Sequence, residues 1–578
     1  MPEVGPARPA RPTTGFELGI AELLARRQVA VSCVVLVQRH RGTDRAQQLA
    51  ADFPAARVHV LVHGNAAKLP LAEDDDRVSY RAITSNAERL TYLSGFEPPQ
   101  LVVDASRSRP EQSLHVLRHL YFRLAPGGLF VLEGAAPAPE EEGLSSFGLL
   151  AAAAALPEAE LDLAARAPVE LRDEVRATST ELVFRGDQAM VTKSTRPEGY
   201  HLLKLRDWES DETLTRRFGT GWGRTLLTRP ARTFAARGEV TSHGDGPLPS
   251  GTRTYEVPEL HLRAYSEVVC SARQVVRLQD YLLPDTWRHP HQGVLNNIAL
   301  VTSTRHFARF RPAVVPSPPR RLRGSYYYLD TMFPGHFGHV TTEVLGRVWG
   351  WAHAVAADPE VRPLISERER GDFYPFQRQI FDALGIPADR TVVIPPEESV
   401  QVERLYAASP ELENPHYVAP ELEQVFRRLA EELPPATSPV GEKLFVSRRT
   451  GDKRHCTNSR EVEEFFREEG FAVVYPEDHA YPEQRAMFAA ARVIAGFGGS
   501  AMFNMMFAPG ARVLVISSRN YNAQNERLLA AVNGIDLHYL WGDPEIEAPL
   551  NRYRRDAFRS HYHLDLTRYR QTLQLLVR

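Results

Sequence analysis

The segment IAGFGGSAMFNMMFAPG at residues 494–510 decides the fold of its region. An apolar run that ends at Phe497 stops at Gly498 and Gly499, and a short apolar segment that opens with Ser500 ends at a Pro-Gly pair before ARVLVI. This pattern predicts a strand, a tight turn, a helix and a second strand. A Gly-rich turn leading into a helix N-terminus suits a phosphate, because unpaired N–H groups and the helix dipole face the ligand. The alternative is a glycine pair that only shapes a crossover.

Composition indicates a globular protein of several domains. The chain has 578 residues, 43% of them hydrophobic, and a formal net charge of −3. Because no sustained basic stripe is present, we expect no nucleic-acid partner. The cysteines Cys33, Cys270 and Cys456 lie far apart without metal-ligand spacing, so the sequence predicts neither a disulfide framework nor a metal site and fits a reducing cytoplasm. No window reaches the roughly 18 apolar residues of a spanning helix, so membrane contact would be at most peripheral.

The first part of the chain alternates between strand and helix patterns. Residues 1–27 are predicted to be a Pro-rich disordered tail and a leading helix, and residues 28–207 to be one domain. Its strand patterns include VAVSCVVLV, RVHVLVHG, PQLVVDAS and GGLFVLEG, with an Ala/Glu-rich helical stretch near 138–166 and two β-rich runs after it. Strands separated by helical windows predict a doubly wound, mostly parallel α/β sheet that a hairpin closes.

The order of these elements, and above all LRHLYFRLAPGGLFVLEG at residues 117–134, resembles the class I S-adenosylmethionine-dependent methyltransferase fold. Where that family has a Gly-rich loop after its first strand, this sequence has VQRHRGTD with Gly42 alone. Where the family ends its second strand in an acid, this sequence has VHGN. We therefore expect a degenerate domain that binds no cofactor.

The rest of the chain is predicted to form two further domains, 208–433 and 434–578. The linker EELPPATSPVGE precedes the sharper pattern, in which KLFVSRR, FAVVYPE, RVIAGF and ARVLVI predict at least four parallel strands with three intervening helices. Asn458 and Glu461 have capping-box spacing, and Pro482 suits the first turn of the next helix. The glycine turn would then lie at the sheet edge where open α/β sheets bind ligands.

The run from LFVSRR to ARVLVI resembles the C-terminal half of glycosyltransferase family 61. That family has an Arg-rich segment after a strand, then an Asn-containing helix start, and finally a Gly-rich turn followed by Asn and Phe-x-x-Gly. Upstream, YSEVVCSARQVVRLQDYLLPDTWRH and GSYYYLDTMFPGHFGHVTTEVLGRVW resemble the N-terminal half, whose hallmark is Gly-His with a Glu one turn later.

This resemblance implies a GT-B architecture of two Rossmann-like domains, the first binding the acceptor and the second the nucleotide-sugar. It also implies inverting sugar transfer without an obligatory metal or other cofactor. The donor would be a nucleotide-sugar, UDP-linked by expectation, and the acceptor a glycan or lipid-linked glycan. The role would be bacterial capsular or cell-surface polysaccharide biosynthesis. The sequence does not specify the sugar, the linkage or the oligomeric state.

A metal-independent enzyme must neutralise the leaving diphosphate with protein cations and backbone dipoles. The candidate donor-binding residues are Arg448, Arg449, Arg454, Gly498, Gly499, Ser500 and Asn504, with Lys453 in the same basic cluster. A solvated loop is the alternative for the arginines, and a purely structural role is the alternative for Asn504. Many family members carry a His where this chain has Gly498, so a histidine contact to the donor is lost here.

His339 is the leading catalytic candidate, since a histidine near its ordinary pKa suits removal of the acceptor proton. His339, Glu343 and Arg347 recur at steps of four in a predicted helix, so they would share one face. Glu343 would orient the imidazole or bind acceptor hydroxyls. The alternative is a helix-capping His with a Glu343–Arg347 surface pair. His336 is the second candidate base, and the weaker candidates are Asp330 and Asp478.

The sequence thus predicts a cytoplasmic glycosyltransferase. Two alternatives remain: a methyltransferase or bifunctional enzyme acting through residues 28–207, and a non-catalytic glycan-binding protein, which the loss of the histidine at Gly498 would favour.

Overall fold

The structure is a computed structural model. It describes residues 19–40, 42–64, 71–107, 116–117, 120–134, 174, 178–185, 188–194, 200–290, 294–302, 305–311, 318–369, 371, 373–449, 451, 453–549 and 553–578. The predicted tail before residue 19 and the predicted helical stretch near 138–166 lie outside these residues. The leading helix is present as Ile20–Arg26.

The chain packs as two compact units. Unit one is Met1–Trp222, Leu278–Pro284 and Ile298–Val315, and unit two is Gly223–Arg277, Asp285–Asn297 and Pro316–Arg578. The predicted domain boundary at 433 falls inside unit two. No helix in the described part of the chain is long and apolar enough to cross a membrane.

The strands up to Lys204 are β1 (Cys33–Gln38), β2 (Arg57–His63), β3 (Val78–Ile83), β4 (Leu101–Asp104), β5 (Leu129–Glu133), β6 (Ser179–Arg185), β7 (Gln188–Lys193) and β8 (Leu202–Lys204). The next are β9 (Gly223–Arg229), β10 (Arg232–Ala235), β11 (Val240–His243), β12 (Thr254–Val257), β13 (Leu260–Ser271), β14 (Val275–Leu278), β15 (Tyr281–Leu282), β16 (Leu300–Val301) and β17 (Phe307–Phe310). The last are β18 (Arg320–Tyr328), β19 (Arg362–Ser366), β20 (Val392–Ile394), β21 (Ser399–Ala408), β22 (Leu412–Glu413), β23 (Tyr417–Val418), β24 (Lys443–Val446), β25 (Ala472–Val474), β26 (Val493–Phe497), β27 (Arg512–Ser518), β28 (Asp536–Pro544) and β29 (Tyr562–His563).

The main sheet of unit one has the order β3-β2-β1-β4-β5-β7-β6. β1 to β5 pair in parallel, β7 runs antiparallel to β5, and β6 and β7 form the closing hairpin. Every residue of β1 is buried, as expected for a central parallel strand. The mostly parallel sheet with a terminal hairpin matches the sequence-based expectation. In a smaller arrangement, β8 pairs with β15 and β17.

Unit two contains two larger sheets. In the first sheet, β9, β14 and β21 each run antiparallel to β13. On the far side of β21, the pairs β21–β18, β18–β19 and β19–β20 are parallel. In the second, β11-β28-β27-β26-β24-β25 are all parallel, and β29 runs antiparallel to β28. The four predicted strands of this region are therefore confirmed as β24 to β27. Leu262 and Tyr406 of the first sheet belong to the same hydrophobic core as Val446 and Met502 beside the second.

The other α-helices are Asp44–Asp52, Asn86–Leu93, Asp207–Phe218, Phe337–His339, Trp351–Ala357, Pro375–Ala383, Leu422–Glu432, Ser459–Glu468, Tyr481–Ala490, Asn525–Asn533, Arg555–Arg559 and Leu566–Leu576. Turns of 3₁₀-helix are Pro284–Thr286, Leu345–Gly350, Ala388–Arg390, Pro476–Asp478 and Ser500–Phe507. Pro482 lies in the first turn of its helix, as predicted.

Two local predictions differ from the structure. The predicted capping box at Asn458 is wrong, because the Asn458 side chain instead holds Leu564, donating to its carbonyl and accepting from its N–H. The helix predicted from residue 340 combines three helix types. The short α-helix Phe337–His339 leads into the π turn Val340–Val344, which is followed by the 3₁₀ segment Leu345–Gly350 and the α-helix Trp351–Ala357. A π turn widens the helix and shifts the face of each later residue.

Candidate active site

Two distant segments of unit two meet at one cavity. Gly338 packs so closely on the Ser500–Phe507 helix that a Cβ on Gly338 would lie 2.9 Å from the Ser500 Cβ and 3.0 Å from Phe503 Cε2. Beside this contact is a cavity of about 280 Å³. Its lining residues are Pro334, Gly335, His336, Phe337, Arg368, Tyr374 and Ser500. One candidate from each predicted segment, His336 and Ser500, therefore lines the same cavity.

His339 hydrogen-bonds to a buried carboxylate. Its Nδ1 lies 2.8 Å from Glu343 Oε1, and Arg288 Nε donates to the same oxygen at 2.6 Å. Burial by itself would raise the pKa of Glu343, but His339 and then Arg288 outweigh it and hold this pKa well below its usual range. A permanently ionised Glu343 favours a proton on Nδ1 of His339, which leaves Nε2 as the basic nitrogen of the neutral ring.

His336 opens directly onto the cavity. Its ring packs edge-on against His339 with a centroid distance of 4.9 Å. Partial removal from bulk water, and then the neighbouring His339, lowers the pKa of His336 to about 4. His336 is therefore neutral at physiological pH, and it lies against His339, the other candidate base.

The Gly498–Gly499 turn differs sharply between its two glycines. A Cβ on Gly498 would lie 2.8 Å from Ser517 Oγ and 3.3 Å from Val515, so packing on β27 leaves no room for a side chain there. A Cβ on Gly499 would meet only the guanidinium of Arg448, at 3.8 Å. The Gly499 side of the turn thus faces a cation. At position 498, the packing of the turn on Ser517 and Val515 leaves no space for a histidine side chain.

Arg448 and Arg454 form a cationic pair near this turn. Within the described part of the chain, neither guanidinium has an acidic partner within ion-pair distance. Burial, and then the neighbouring Arg454, lowers the pKa of Arg448. Arg454 also lowers the pKa of His336, which indicates that its charge reaches the cavity.

Aromatic rings hold Arg454 in place. Its guanidinium lies over the rings of Tyr521 and Phe558, at 5.4 and 5.0 Å from their centroids. The Tyr521 hydroxyl donates to the buried Glu526, whose pKa is raised to about 7 by burial. These contacts orient the guanidinium while leaving its charge available to an anion.

Arg449 and Asn504 are placed differently from the other donor-binding candidates. Arg449 is exposed and forms ion pairs with Asp478 at 2.5 Å and Glu477 at 3.7 Å. Asn504 is fully buried and donates to Gln484 Oε1 at 3.0 Å. Gln484 in turn donates to the carbonyls of Pro476 and His479, so Asn504 is tied to the segment between β25 and the next helix.

The predicted alternative of a Glu343–Arg347 surface pair is wrong. Glu343 and Arg347 are both buried, and the π turn directs Arg347 away, so that it donates to the Ala408 carbonyl and lies 3.8 Å from Asp285. Asp330 is also fully buried and accepts from the Ser366 hydroxyl and from the Ser366, Gln274 and Thr331 N–H groups. This carboxylate is an internal anchor of the first sheet.

Sequence reasoning missed Arg368 and Tyr374, which line the cavity, and Arg288 and Phe333, which contact the His339–Glu343 pair. The ring of Phe333 stacks on His339 at a centroid distance of 4.6 Å, and Arg288 lies over Phe333 at 5.5 Å. A signal for Arg288 existed in the segment PDTWRH, but no periodicity relates that segment to Glu343. In the described part of the chain, no group of three or more His, Cys, Asp or Glu side chains is arranged for a metal ion.

In unit one, the chain's own side chains occupy the loop after β1. The Gln38 amide donates to the carbonyls of His40 and Gly42, and Arg45 pairs with Glu133 at the end of β5. β2 ends in His63, whose pKa is lowered to about 4 by burial and then by Arg89. No acid at this position can accept from ribose hydroxyls.

Comparison with known families finds a match to a glycosyltransferase family within unit two. Residues 337–515 match the family model "Glycosyltransferase 61". The match spans less than half of the chain, begins one residue after His336, and includes His339, Glu343 and the predicted donor-binding residues. It supports glycosyltransferase activity in general for this region.

Among solved structures, the MycE methyltransferase from the mycinamycin biosynthetic pathway is similar at 18% identity with a TM-score of 0.23, covering 31% of this chain and 55% of that one. The S-adenosylmethionine-dependent methyltransferase SibL is similar at 21% identity with a TM-score of 0.18, covering 29% and 51%. The chain spans about half the length of these structures. No curated protein matches the chain.

Proposed function

We propose that unit two transfers a sugar from a nucleotide-sugar donor to a glycan acceptor. The observation that carries this proposal is the packing of Gly338 on Ser500. It brings a histidine segment suited to proton removal against a glycine turn suited to a phosphate. A glycosyltransferase needs both functions within one cavity.

The donor diphosphate would bind over Gly499, between the guanidinium groups of Arg448 and Arg454. Both cations lack an acidic partner within ion-pair distance in the described residues, and a Cβ on Gly499 would meet only Arg448, at 3.8 Å. Fixed cations and backbone N–H groups would stabilise the departing nucleoside diphosphate without a metal ion. Bidentate arginine contacts match phosphate geometry.

In the reaction, an acceptor hydroxyl oxygen attacks the anomeric carbon, and the bond from that carbon to the diphosphate oxygen breaks. His339 takes the hydroxyl proton on Nε2, while Glu343 holds the proton on Nδ1. Attack opposite the leaving group inverts the anomeric configuration. His336, neutral and on the cavity wall, is the second candidate base.

The two larger sheets of unit two would correspond to the acceptor and donor halves of a GT-B enzyme. The parallel strands β24 and β26 end at Val446 and Phe497, shortly before Arg448 and Gly498, which supports assigning the donor to this second sheet. Capsular or cell-surface glycan synthesis and a UDP-linked donor follow from the family resemblance, and they complete the proposal.

Incubation of the purified chain with a panel of nucleotide-sugars, followed by mass spectrometry, tests the proposal. We expect release of nucleoside diphosphate from at least one donor, persisting in EDTA, and loss of that release in Arg448→Ala. Nucleotide binding without turnover on any donor or glycan acceptor would instead favour the non-catalytic, glycan-binding alternative. Dependence on a divalent cation would contradict the metal-independent mechanism.

A further inference from the structure

Three side chains, Arg288, Glu343 and Phe333, form a closed ring of contacts with His339. Arg288 Nε donates to Glu343 Oε1 at 2.6 Å, and His339 Nδ1 lies 2.8 Å from the same oxygen. The His339 ring stacks on Phe333, and the Arg288 guanidinium lies over the same Phe333 ring, 5.5 Å from its centroid. Arg288 therefore touches both groups that fix the imidazole.

The carboxylate of Glu343, which belongs to this ring of contacts, is deeply buried. The Glu343 side chain is 11% exposed, and its Oε2 has no hydrogen-bond partner in the described structure. A buried carboxylate normally takes up a proton unless cations and donors hold it ionised. His339 is itself titratable, so Arg288 is the permanent cation among the contacts of this carboxylate.

We propose that Arg288 is a positioning residue that keeps Glu343 ionised beneath His339, so that the neutral imidazole carries its proton on Nδ1 and leaves Nε2 basic. The role of His339 as the base rests on the proposed function. Arg288 precedes the region that matches the glycosyltransferase family model, so that match assigns no role to Arg288.

The sign of the charge effect follows from the groups that face His339. Glu343 favours the imidazolium, whereas Arg288 opposes it, both by offsetting the negative charge of the ionised Glu343 and by direct repulsion. In the described structure, the further charged or titratable groups are His289, on which Arg288 and His416 act, and His336, on which Arg454 and Arg368 act. Removal of the Arg288 charge should therefore make His339 easier to protonate.

NMR of the full chain labelled with ¹³C and ¹⁵N histidine tests the inference, with the His339 signal assigned by its loss in His339→Gln. In the wild-type protein at high pH, we expect the ¹⁵N shifts of an Nδ1–H tautomer. In Arg288→Gln, the titration midpoint of His339 should rise by about one pH unit or more. Arg288→Lys keeps the charge and should return the midpoint to within about 0.3 units of wild type.

Arg321→Gln is the matched control, because it removes an exposed Arg–Glu pair elsewhere in unit two. It should leave the His339 midpoint unchanged. An Nε2–H tautomer in the wild-type protein would overturn the inference, and so would an unchanged or lowered midpoint in Arg288→Gln. Should Arg288→Gln not fold, a raised midpoint in Arg288→Lys would also overturn it.

Activity gives a separate readout. The acidic limb of the rate–pH profile should move upward with the NMR midpoint in Arg288→Gln and return in Arg288→Lys. Because the tautomer and the midpoint are measured without substrate, an inactive wild-type protein with the expected NMR result would contradict the proposed function and support the inference.

Discussion

Gly338 and Ser500 are so close that a Cβ on the glycine would lie 2.9 Å from the Cβ of the serine. This contact joins the histidine segment of the first sheet to the glycine turn of the second. Since 3.0 Å or less is closer than carbon atoms pack, the joint requires glycine at this position.

Gly338→Ala should therefore disturb both stability and catalysis. Overpacking at such a site costs roughly 1 to 3 kcal/mol, and relief by separation would widen the gap between His339 and the turn. We expect a lower Tm and a reduced transfer rate per folded molecule. Gly441→Ala is the control, because a Cβ there meets no atom within 4 Å. Wild-type Tm and rate in Gly338→Ala would contradict the tight contact.

Arg448→Ala and Arg454→Ala should weaken donor binding. Each removes charge-assisted contacts to the diphosphate that are worth roughly 1.5 to 3 kcal/mol, which corresponds to at least about a tenfold loss of affinity. Calorimetry with a nucleoside diphosphate measures the change. Arg449→Ala is the matched control, because that guanidinium is engaged by Asp478. Equal binding by all three variants would identify Arg448 and Arg454 as solvated loop residues.

His339→Ala separates an enzyme from a binding protein. Loss of a general base should lower the transfer rate by roughly 100-fold to 10,000-fold, with little change in donor affinity. Turnover and Tm should be measured on the same preparation. A fully active variant would shift the assignment to His336, which lines the cavity.

Unit two should lose stability as the pH falls below neutrality, in part through His289. Burial and then Arg288 lower the pKa of His289 to about 4, below its value in the unfolded chain. The unfolded state thus binds more protons between the two values, so the contribution of His289 is complete above about pH 6.5 and is lost towards pH 4. The free energy of unfolding should be measured by calorimetry at about pH 7.5 and about pH 5. Its decrease between these two values should be smaller in His289→Gln than in wild type, by roughly 1 to 2 kcal/mol. The exposed His353 offers the control His353→Gln, and an equal loss in His289→Gln would refute the argument.

S-adenosylmethionine should bind the chain no better than millimolar. Gln38 fills the loop after β1 with its own hydrogen bonds, and β2 ends in His63 where an acid would hold a ribose. Calorimetry on the full chain measures the affinity. Micromolar binding would make unit one a functional cofactor domain and the chain a candidate bifunctional enzyme.

Local sequence patterns were sufficient to predict where the strands of the second sheet end. Apolar runs closed by glycine or charge identified β24 and β26, and adjacent parallel strands bring their carboxyl ends to one edge. Arg448 and Gly499 could therefore be paired from sequence. The strand pattern of unit one and its closing hairpin followed from the same periodicity.

Only the tertiary structure decided which distant groups complete the site. Arg288 reaches Glu343 from another segment, Asp478 draws Arg449 aside, and the π turn separates Arg347 from Glu343. A sequence encodes the period and ends of each element, because neighbouring side chains share one backbone geometry. Contacts between elements depend instead on shape complementarity and charge compensation in the packed interior, and no local spacing specifies these.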